Sequence, residues 1–248
     1  MASDGSDRPV RVAVVGAGGR MGTLSCRTIA AEQGMELVGA VGRSHAGLEI
    51  SAVTGAKVLG EIAGSLETLR GAQPDVVVDF TPAEVVRRNA DWCAANVIHM
   101  VIGSSGLGVE DYGSLKRQFV SCNCIVAPNL AIGAILMMRF AELASPYFES
   151  GEIIEIHHDQ KVDAPSGTAM LTAQRMASSS SRWSRDRTTR AVLDGARGGE
   201  AAPGIRVHSI RLRGAVAHQE ILFGTTGHSL RIRHDSYDRS SFMPGLVL

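Results

Sequence analysis

The stretch Arg11–Gln33, RVAVVGAGGRMGTLSCRTIAAEQ, decides how the first half of this chain folds. Arg11–Val15 is a short, β-branched, apolar run of the kind that becomes a buried strand. Glycines at 16, 18, 19 and 22 interrupt it, and Gly22–Gln33 resumes with helical spacing of its apolar residues. Glycine at such a junction permits a tight turn and brings backbone amides close to a bound group. The spacing G-x-x-G-x-x-G, with an additional Gly18, therefore predicts a strand–turn–helix unit whose loop and helix N-terminus hold a pyrophosphate.

Beyond this unit the alternation continues. Glu36–Val41, Asp75–Phe80, His99–Ile102 and Cys124–Ala127 read as strands, and Ala83–Asn96 and Val109–Phe119 as helices. Continuous apolar strands separated by helices predict a parallel sheet covered on both faces, the doubly wound α/β arrangement. After Pro128-Asn129 the pattern changes. An apolar helix over Ile132–Phe148, a strand over Glu152–His157 and a helix after Ser166 precede strands at Ile205–Leu212, Val216–Phe223 and Ser229–His234. Successive strands without helices between them predict an antiparallel meander. The expected division is a dinucleotide-binding domain over 1–128 and an α+β domain over 129–238.

Composition excludes several classes. The chain of 248 residues carries 25 basic and 25 acidic side chains, so no polyanionic partner is implied and no nucleic acid is expected. The basic run from Arg182 to Arg190 reads as a solvated loop. Cys26, Cys93, Cys122 and Cys124 lack C-x-x-C spacing and are expected as reduced thiols rather than a disulfide frame or a metal site. The first nine residues are polar, and no apolar run approaches membrane-spanning length, so a soluble, cytoplasmic protein is expected.

The chemistry concentrates in Glu155–Ala169, EIHHDQKVDAPSGTA. Imidazoles at His157 and His158, an ammonium at Lys161 and a helix-entry turn at Ser166-Gly167-Thr168 offer proton donors, a cation and backbone amides. That set suits an anionic substrate that must receive a proton. Adjacent residues of a strand point to opposite faces, so both imidazoles share a site only if the strand has ended. Asp163 either holds Lys161 or shapes the turn, and the turn role is favoured because Asp commonly builds turns. His218 and Glu220 alternate onto one face of a later strand and read as supports for the sheet or for oligomer contacts.

Three places complement the glycine loop. Phe80-Thr81 and Gly103-Ser104-Ser105 close strands at the carboxyl ends where open α/β sheets bind ligands. The second strand ends at Val41-Gly42-Arg43, without the carboxylate that usually takes a ribose 2′-hydroxyl. Arg43, with Arg20, is then placed to pair with a 2′-phosphate, which favours NADPH over NADH.

Taken together, Gly16–Gly22, Asp79–Pro82, Ile102–Gly106, Asn129–Gly133, Glu155–Ala169, His208–Gly224 and Tyr237–Gly245 resemble the 4-hydroxy-tetrahydrodipicolinate (dihydrodipicolinate) reductase family across nearly the whole chain. The resemblance implies a Rossmann-like cofactor domain and a substrate and oligomerisation domain with a mixed, mainly antiparallel sheet. It also implies a return of the C-terminal segment 239–248 to the first domain and a homotetramer. The implied reaction is NAD(P)H-dependent reduction of a small cyclic dicarboxylate in lysine and diaminopimelate biosynthesis. It implies His157 and Lys161 as catalytic residues and His158, Lys161, Ser166, Gly167 and Thr168 as substrate ligands. Gly16, Gly18, Gly19, Arg20, Met21, Gly22, Arg43, Phe80, Thr81, Gly103, Ser104, Ser105, Asn129, Arg239 and Phe242 are implied at the cofactor. The chain departs from the family at Gly42, where relatives carry an acid, in a shorter Asp79–Pro82 segment, and at Leu248, where relatives continue into a closing helix.

Overall fold

The computed structural model describes residues 8–248 apart from Ser105 and Pro128, so Ser105, expected at the cofactor, lies outside the described residues. The chain forms two compact units, one of residues up to Leu130 together with Met243–Leu248, the other of Ala131–Phe242.

In the first unit β1 (Val10–Val15), α1 (Arg20–Ala31), β2 (Met35–Val41), α2 (Ile50–Thr54), β3 (Val76–Asp79), α3 (Ala83–Ala95), β4 (His99–Ile102), α4 (Val109–Gln118) and β5 (Cys124–Val126) follow in order. A single 3-10 turn at Arg43–His45 and a longer 3-10 segment at Leu66–Ala72 lie between β2 and β3. The five strands are parallel, in the order β2-β1-β3-β4-β5. Period-two alternation sends Val12 and Val14 to one face, with Cys26 and Ile29 of α1, and Ala13 and Val15 to the other, with Val86, Ala90 and Cys93 of α3. Both faces are core, which is why β1 is apolar without interruption from Val12 to Val15. The strand order reverses direction between β1 and β3, and a crevice opens beyond their carboxyl ends.

The second unit contains α5 (Ile132–Ala144), β6 (Ser150–His157), α6 (Gly167–Ser179), β7 (Gly199–Ala202), β8 (Ile205–Arg211), β9 (Ala217–Thr225) and β10 (His228–Ser236). After it, α7 (Met243–Val247) belongs again to the first unit, where Leu246 packs on the core. The expected helix to Phe148 ends at Ala144, and Ser145-Pro146-Tyr147 follows as a 3-10 turn. Proline cannot continue the hydrogen-bond ladder.

The sheet order is β10-β9-β6-β8-β7, with β6 antiparallel to β9 and parallel to β8. The meander expected from sequence is therefore wrong: β8 and β9 do not pair, because β6 lies between them. β9 and β10 form a hairpin, turning at Gly227 with φ 88°, and β7 and β8 form another, turning at Gly204 with φ 74°. The register orders the helix-facing side of this sheet in rows. Gly151, Ile205, Phe223 and Leu230 form one row, and Ile153, Val207, Ile221 and Ile232 the next. Then come Glu155, Ser209, Gln219 and His234, and finally His157, Arg211, Ala217 and Ser236. Ile205 and Phe223 of the first row and all of the second pack against Met137 and Ala141 of α5 and Ala169, Ala173 and Met176 of α6, while Leu230 is exposed. The third row is polar: Glu155 and Gln219 are buried, His234 is half-buried and Ser209 is exposed. A buried carboxylate such as Glu155 requires a cation nearby, and β8 alongside β6 supplies one in Arg211.

All four cysteines are free thiols. Among the described residues no helix is long and apolar enough to cross a membrane.

Candidate active site

The glycine loop is built by close backbone packing. Gly16 has φ 81°, and its amide and that of Ala17 donate to the Val41 carbonyl at 2.9 and 3.0 Å. A Cβ on Gly22 would lie 2.1 Å from the Gly16 carbonyl oxygen, so only glycine allows α1 to start against the loop. Gly19 at the N-cap has no side chain to cap α1, which leaves first-turn amides for an external acceptor. A cleft of about 670 Å3 opens here, lined by Gly16, Gly18, Gly19, Arg43, Phe80 and Thr81. His45 also lines it, with its ring lying over Gly18.

The floor of the cleft is held by Asp79, fully buried at the end of β3. Its Oδ1 accepts from the Thr81 amide (2.7 Å) and hydroxyl (2.5 Å), and its Oδ2 from Asn89 Nδ2 (2.6 Å). Burial pushes this carboxyl above its ordinary value, and the three donated bonds oppose the shift. Asp79 thereby fixes the Phe80-Thr81 turn, and the Phe80 ring lies against Gly103, where a Cβ would come within 2.4 Å. Next to it, Ser104 Oγ is buried and has no hydrogen-bond partner among the described residues. An uncapped helix start, a glycine cradle and an orphaned hydroxyl, all at strand carboxyl ends, fit a pyridine dinucleotide.

In the second unit His157 is the last residue of β6, so His158 already lies in the following turn, where Lys161 donates its amide to the His158 carbonyl at 3.1 Å. Glu155, two residues earlier and therefore on the same face, contacts His157 Nδ1 through Oε2. Arg211 grips the same carboxylate with both arms, Nη1 to Oε2 at 3.0 Å and Nη2 to Oε1 at 2.9 Å. Nη2 also donates to the Asp163 carbonyl at 2.6 Å, and the Ser166 amide donates to Glu155 Oε1 at 3.3 Å. Burial raises the Glu155 carboxyl, but bonds from His157, Arg211 and Ser209 outweigh it and hold the group at about 2. No described residue bonds His157 Nε2.

Lys161 Nζ donates to both oxygens of Asp163, at 2.7 and 2.8 Å. This corrects the favoured turn-shaping role of Asp163: its carboxylate pairs with the ammonium, which holds it below the usual aspartate range. The Ser166 hydroxyl caps α6 by accepting from the Ala169 amide at 3.2 Å, and Gly167 and Thr168 form the first turn. His218 and Glu220 turn away from this face. His218 contacts Asp235 at 2.7 Å, and Glu220 pairs with Arg231 and Arg233 of β10.

The structure thus gathers Gly16, Gly18, Gly19, Arg43, Phe80 and Thr81 around one cleft, and His157, His158, Lys161, Ser166, Gly167 and Thr168 along one loop. Arg20, Met21 and Gly22 form the first turn of α1, with Arg20 exposed and outside the cleft lining. Asn129 lies in the segment after β5, and Arg239 and Phe242 bound a 3-10 turn before α7. Sequence reasoning missed Glu155 and Arg211, although strand periodicity alone places Glu155 beside His157. It also missed Glu67, an acid that enters the cleft from the Leu66–Ala72 turn. No sequence signal joined Glu67 to the glycine loop.

Residues 10–130 match the family model described as dihydrodipicolinate reductase, N-terminus, and residues 133–248 the one described as its C-terminus. A 4-hydroxy-tetrahydrodipicolinate reductase of Cutibacterium acnes is 43% identical over 244 residues, covering 96% of this chain and 90% of the relative. One of Streptomyces avermitilis is 45% identical over 245 residues, with coverage of 96% and 90%. The dipicolinate-bound dihydrodipicolinate reductase of Paenisporosarcina sp. TG-14 superposes with a TM-score of 0.83 at 41% identity, over 96% of this chain and 92% of that one. GenD2 of gentamicin A biosynthesis, solved with NAD, shares the fold at a TM-score of 0.61 and 17% identity, over 94% of this chain and 75% of that one. With both halves matched in order and nearly the whole length shared, this chain belongs to the dihydrodipicolinate reductase family.

Proposed function

We propose that this chain reduces 4-hydroxy-tetrahydrodipicolinate, or its dehydrated form, to tetrahydrodipicolinate with a reduced nicotinamide cofactor, and that His157 supplies the proton. The reaction belongs to lysine and diaminopimelate biosynthesis. The observation that carries the reading is the single loop that presents His157, Lys161 and the start of α6, in a chain whose two halves both match the family.

The glycine loop, the first turn of α1 and the Phe80-Thr81 turn hold the cofactor, which when bound supplies a hydride. Hydride addition to a conjugated imine leaves an electron pair on the ring, and His157 Nε2 quenches it with a proton before the imidazole is reprotonated from water. Lys161 and His158 attract the substrate carboxylates, and the amides of Gly167 and Thr168 at the α6 N-terminus orient one of them. Arg43, exposed at the rim of the cleft, favours NADPH by pairing with its 2′-phosphate, while Glu67 on the same cleft is suited to the 2′-hydroxyl of NADH. The open face of the second sheet, with Ile154, Ile156, Ile210 and Leu222 among its side chains, supports assembly into a homotetramer.

The test compares NADPH and NADH oxidation by this protein on the product of the preceding synthase. Turnover with either cofactor supports the reading, and tight cofactor binding without turnover refutes it. His157→Gln is expected to lower kcat by about 100- to 10,000-fold with cofactor affinity retained. Equal losses in both would remove the proton-donor role.

A further inference from the structure

We propose that Glu155 and Arg211 are positioning residues for His157: Glu155 holds the Nδ1 proton so that Nε2 is the exchanging atom, and Arg211 keeps Glu155 from taking that proton. The proposal deepens the proton-donor reading of His157 and rests on it.

An imidazole that fails to choose between its nitrogens is a poor donor, because half of its orientations aim the wrong atom. In this chain the choice is built into β6. Period two places Glu155 and His157 on one face, and Glu155 Oε2 meets Nδ1. A fully buried carboxylate beside an imidazole has two ways to lose its charge, by binding a proton from solvent or by drawing the Nδ1 proton across. Either outcome turns Oε2 from a fixed acceptor into a competitor. Arg211 blocks both. It lies directly opposite His157 in the parallel register of β6 and β8, and its two arms bracket both carboxylate oxygens. From the other neighbouring strand His157 faces only Ala217, and His218 lies on the opposite side of the sheet. The charged groups at the ring are therefore Glu155 and Arg211, with the Lys161–Asp163 pair in the adjoining loop.

The same hub anchors the substrate loop. Arg211 donates to the Asp163 carbonyl and the Ser166 amide donates to Glu155, so the ion pair ties both ends of the Asp163–Ser166 turn. A role confined to stability would leave the ring's tautomer indifferent to Glu155; a positioning role does not.

The decisive measurement is the 15N spectrum of the histidine side chains in the full-length wild-type protein, with His157 identified by its absence in His157→Gln. Neutral His157 is expected as the Nδ1–H tautomer, the reverse of the form common in solution. An Nε2–H tautomer overturns the proposal without requiring any other variant to fold. Glu155→Gln is expected to return the ring to Nε2–H and to lower kcat by about 10- to 100-fold, with the KM for the dicarboxylate changed less than about threefold. Glu155→Asp is expected to recover part of kcat and of the Nδ1–H population. Arg211→Lys, which keeps the charge but loses the fork, is expected to fall between wild type and Arg211→Met in kcat. A uniform loss in kcat and KM, or no recovery in Glu155→Asp, overturns the proposal. Full turnover in His157→Gln would instead remove the proton-donor reading, while the tautomer result stands on its own.

Discussion

Lys161 commits its ammonium to both oxygens of Asp163, the same charge that a substrate carboxylate requires. The Asp163 side chain is more than half exposed while that of Lys161 is mostly covered, so the carboxylate is the partner that yields. Lys161→Ala is expected to raise the KM for the dicarboxylate by about 10- to 100-fold, the worth of one or two charge-assisted hydrogen bonds, with the KM for cofactor unchanged. Asp163→Asn removes the competing anion and is expected to lower the substrate KM. A rise in that variant would mean that Asp163 orients Lys161 instead of competing for it. At this scale the sequence was legible where chemistry is local. His157, Lys161 and Ser166 stand within one short motif. Glu155 was legible in principle, two residues from His157 on a strand. Arg211 was not, because hydrophobic periodicity does not state which strand lies beside β6. Buried Asp79 was visible only as the first letter of a turn, yet it fixes Thr81 with two bonds.

Among the elements, α1 shows how tightly the cofactor loop is specified. Gly22→Ala puts a methyl group against the Gly16 carbonyl, and the helix must retreat from the loop. The expected outcome is a loss of about 1–3 kcal/mol in stability together with at least a tenfold rise in the cofactor dissociation constant. Calorimetry on the apo protein and a fluorescence titration with NADPH check the two parts separately. A variant that melts lower but binds normally would show that the first-turn amides tolerate the shift. Most elements were read from the sequence, because Val12–Val15 of β1 and Val76–Val78 of β3 are continuously apolar and α3 and α5 carry helical spacing, but the short α2 and β7 were not. Nor was the arrangement of strands in the second unit. Strands adjacent in sequence usually pair, and β8 and β9 break that habit: β6 lies between them, which places Arg211 beside the buried carboxylate of Glu155.

For the molecule as a whole, two buried carboxylates give opposite pH dependences. The Glu155 carboxyl is held at about 2 against an ordinary 4.5, so the fold favours its charged form. Its contribution to stability is complete above about 4.5 and is lost as pH falls toward 2. Asp79 is raised above 3.8, so its contribution is greatest in acid and is lost as pH rises through its shifted value. The melting temperature is therefore expected to fall in acid with a limb that Glu155→Gln flattens. An unchanged limb in that variant would place the acid sensitivity elsewhere.

The insertion of β6 between β8 and β9 also sets an order of events during synthesis. Glu155 and Arg211 are 56 positions apart, and at ribosomal elongation rates that gap takes about 3–11 s to translate. During that interval the strand bearing His157 has left the ribosome with both of its edges bare. The residues that carry the chemistry are thus made in the middle of the chain and remain open to wrong pairing until the hairpin behind them emerges.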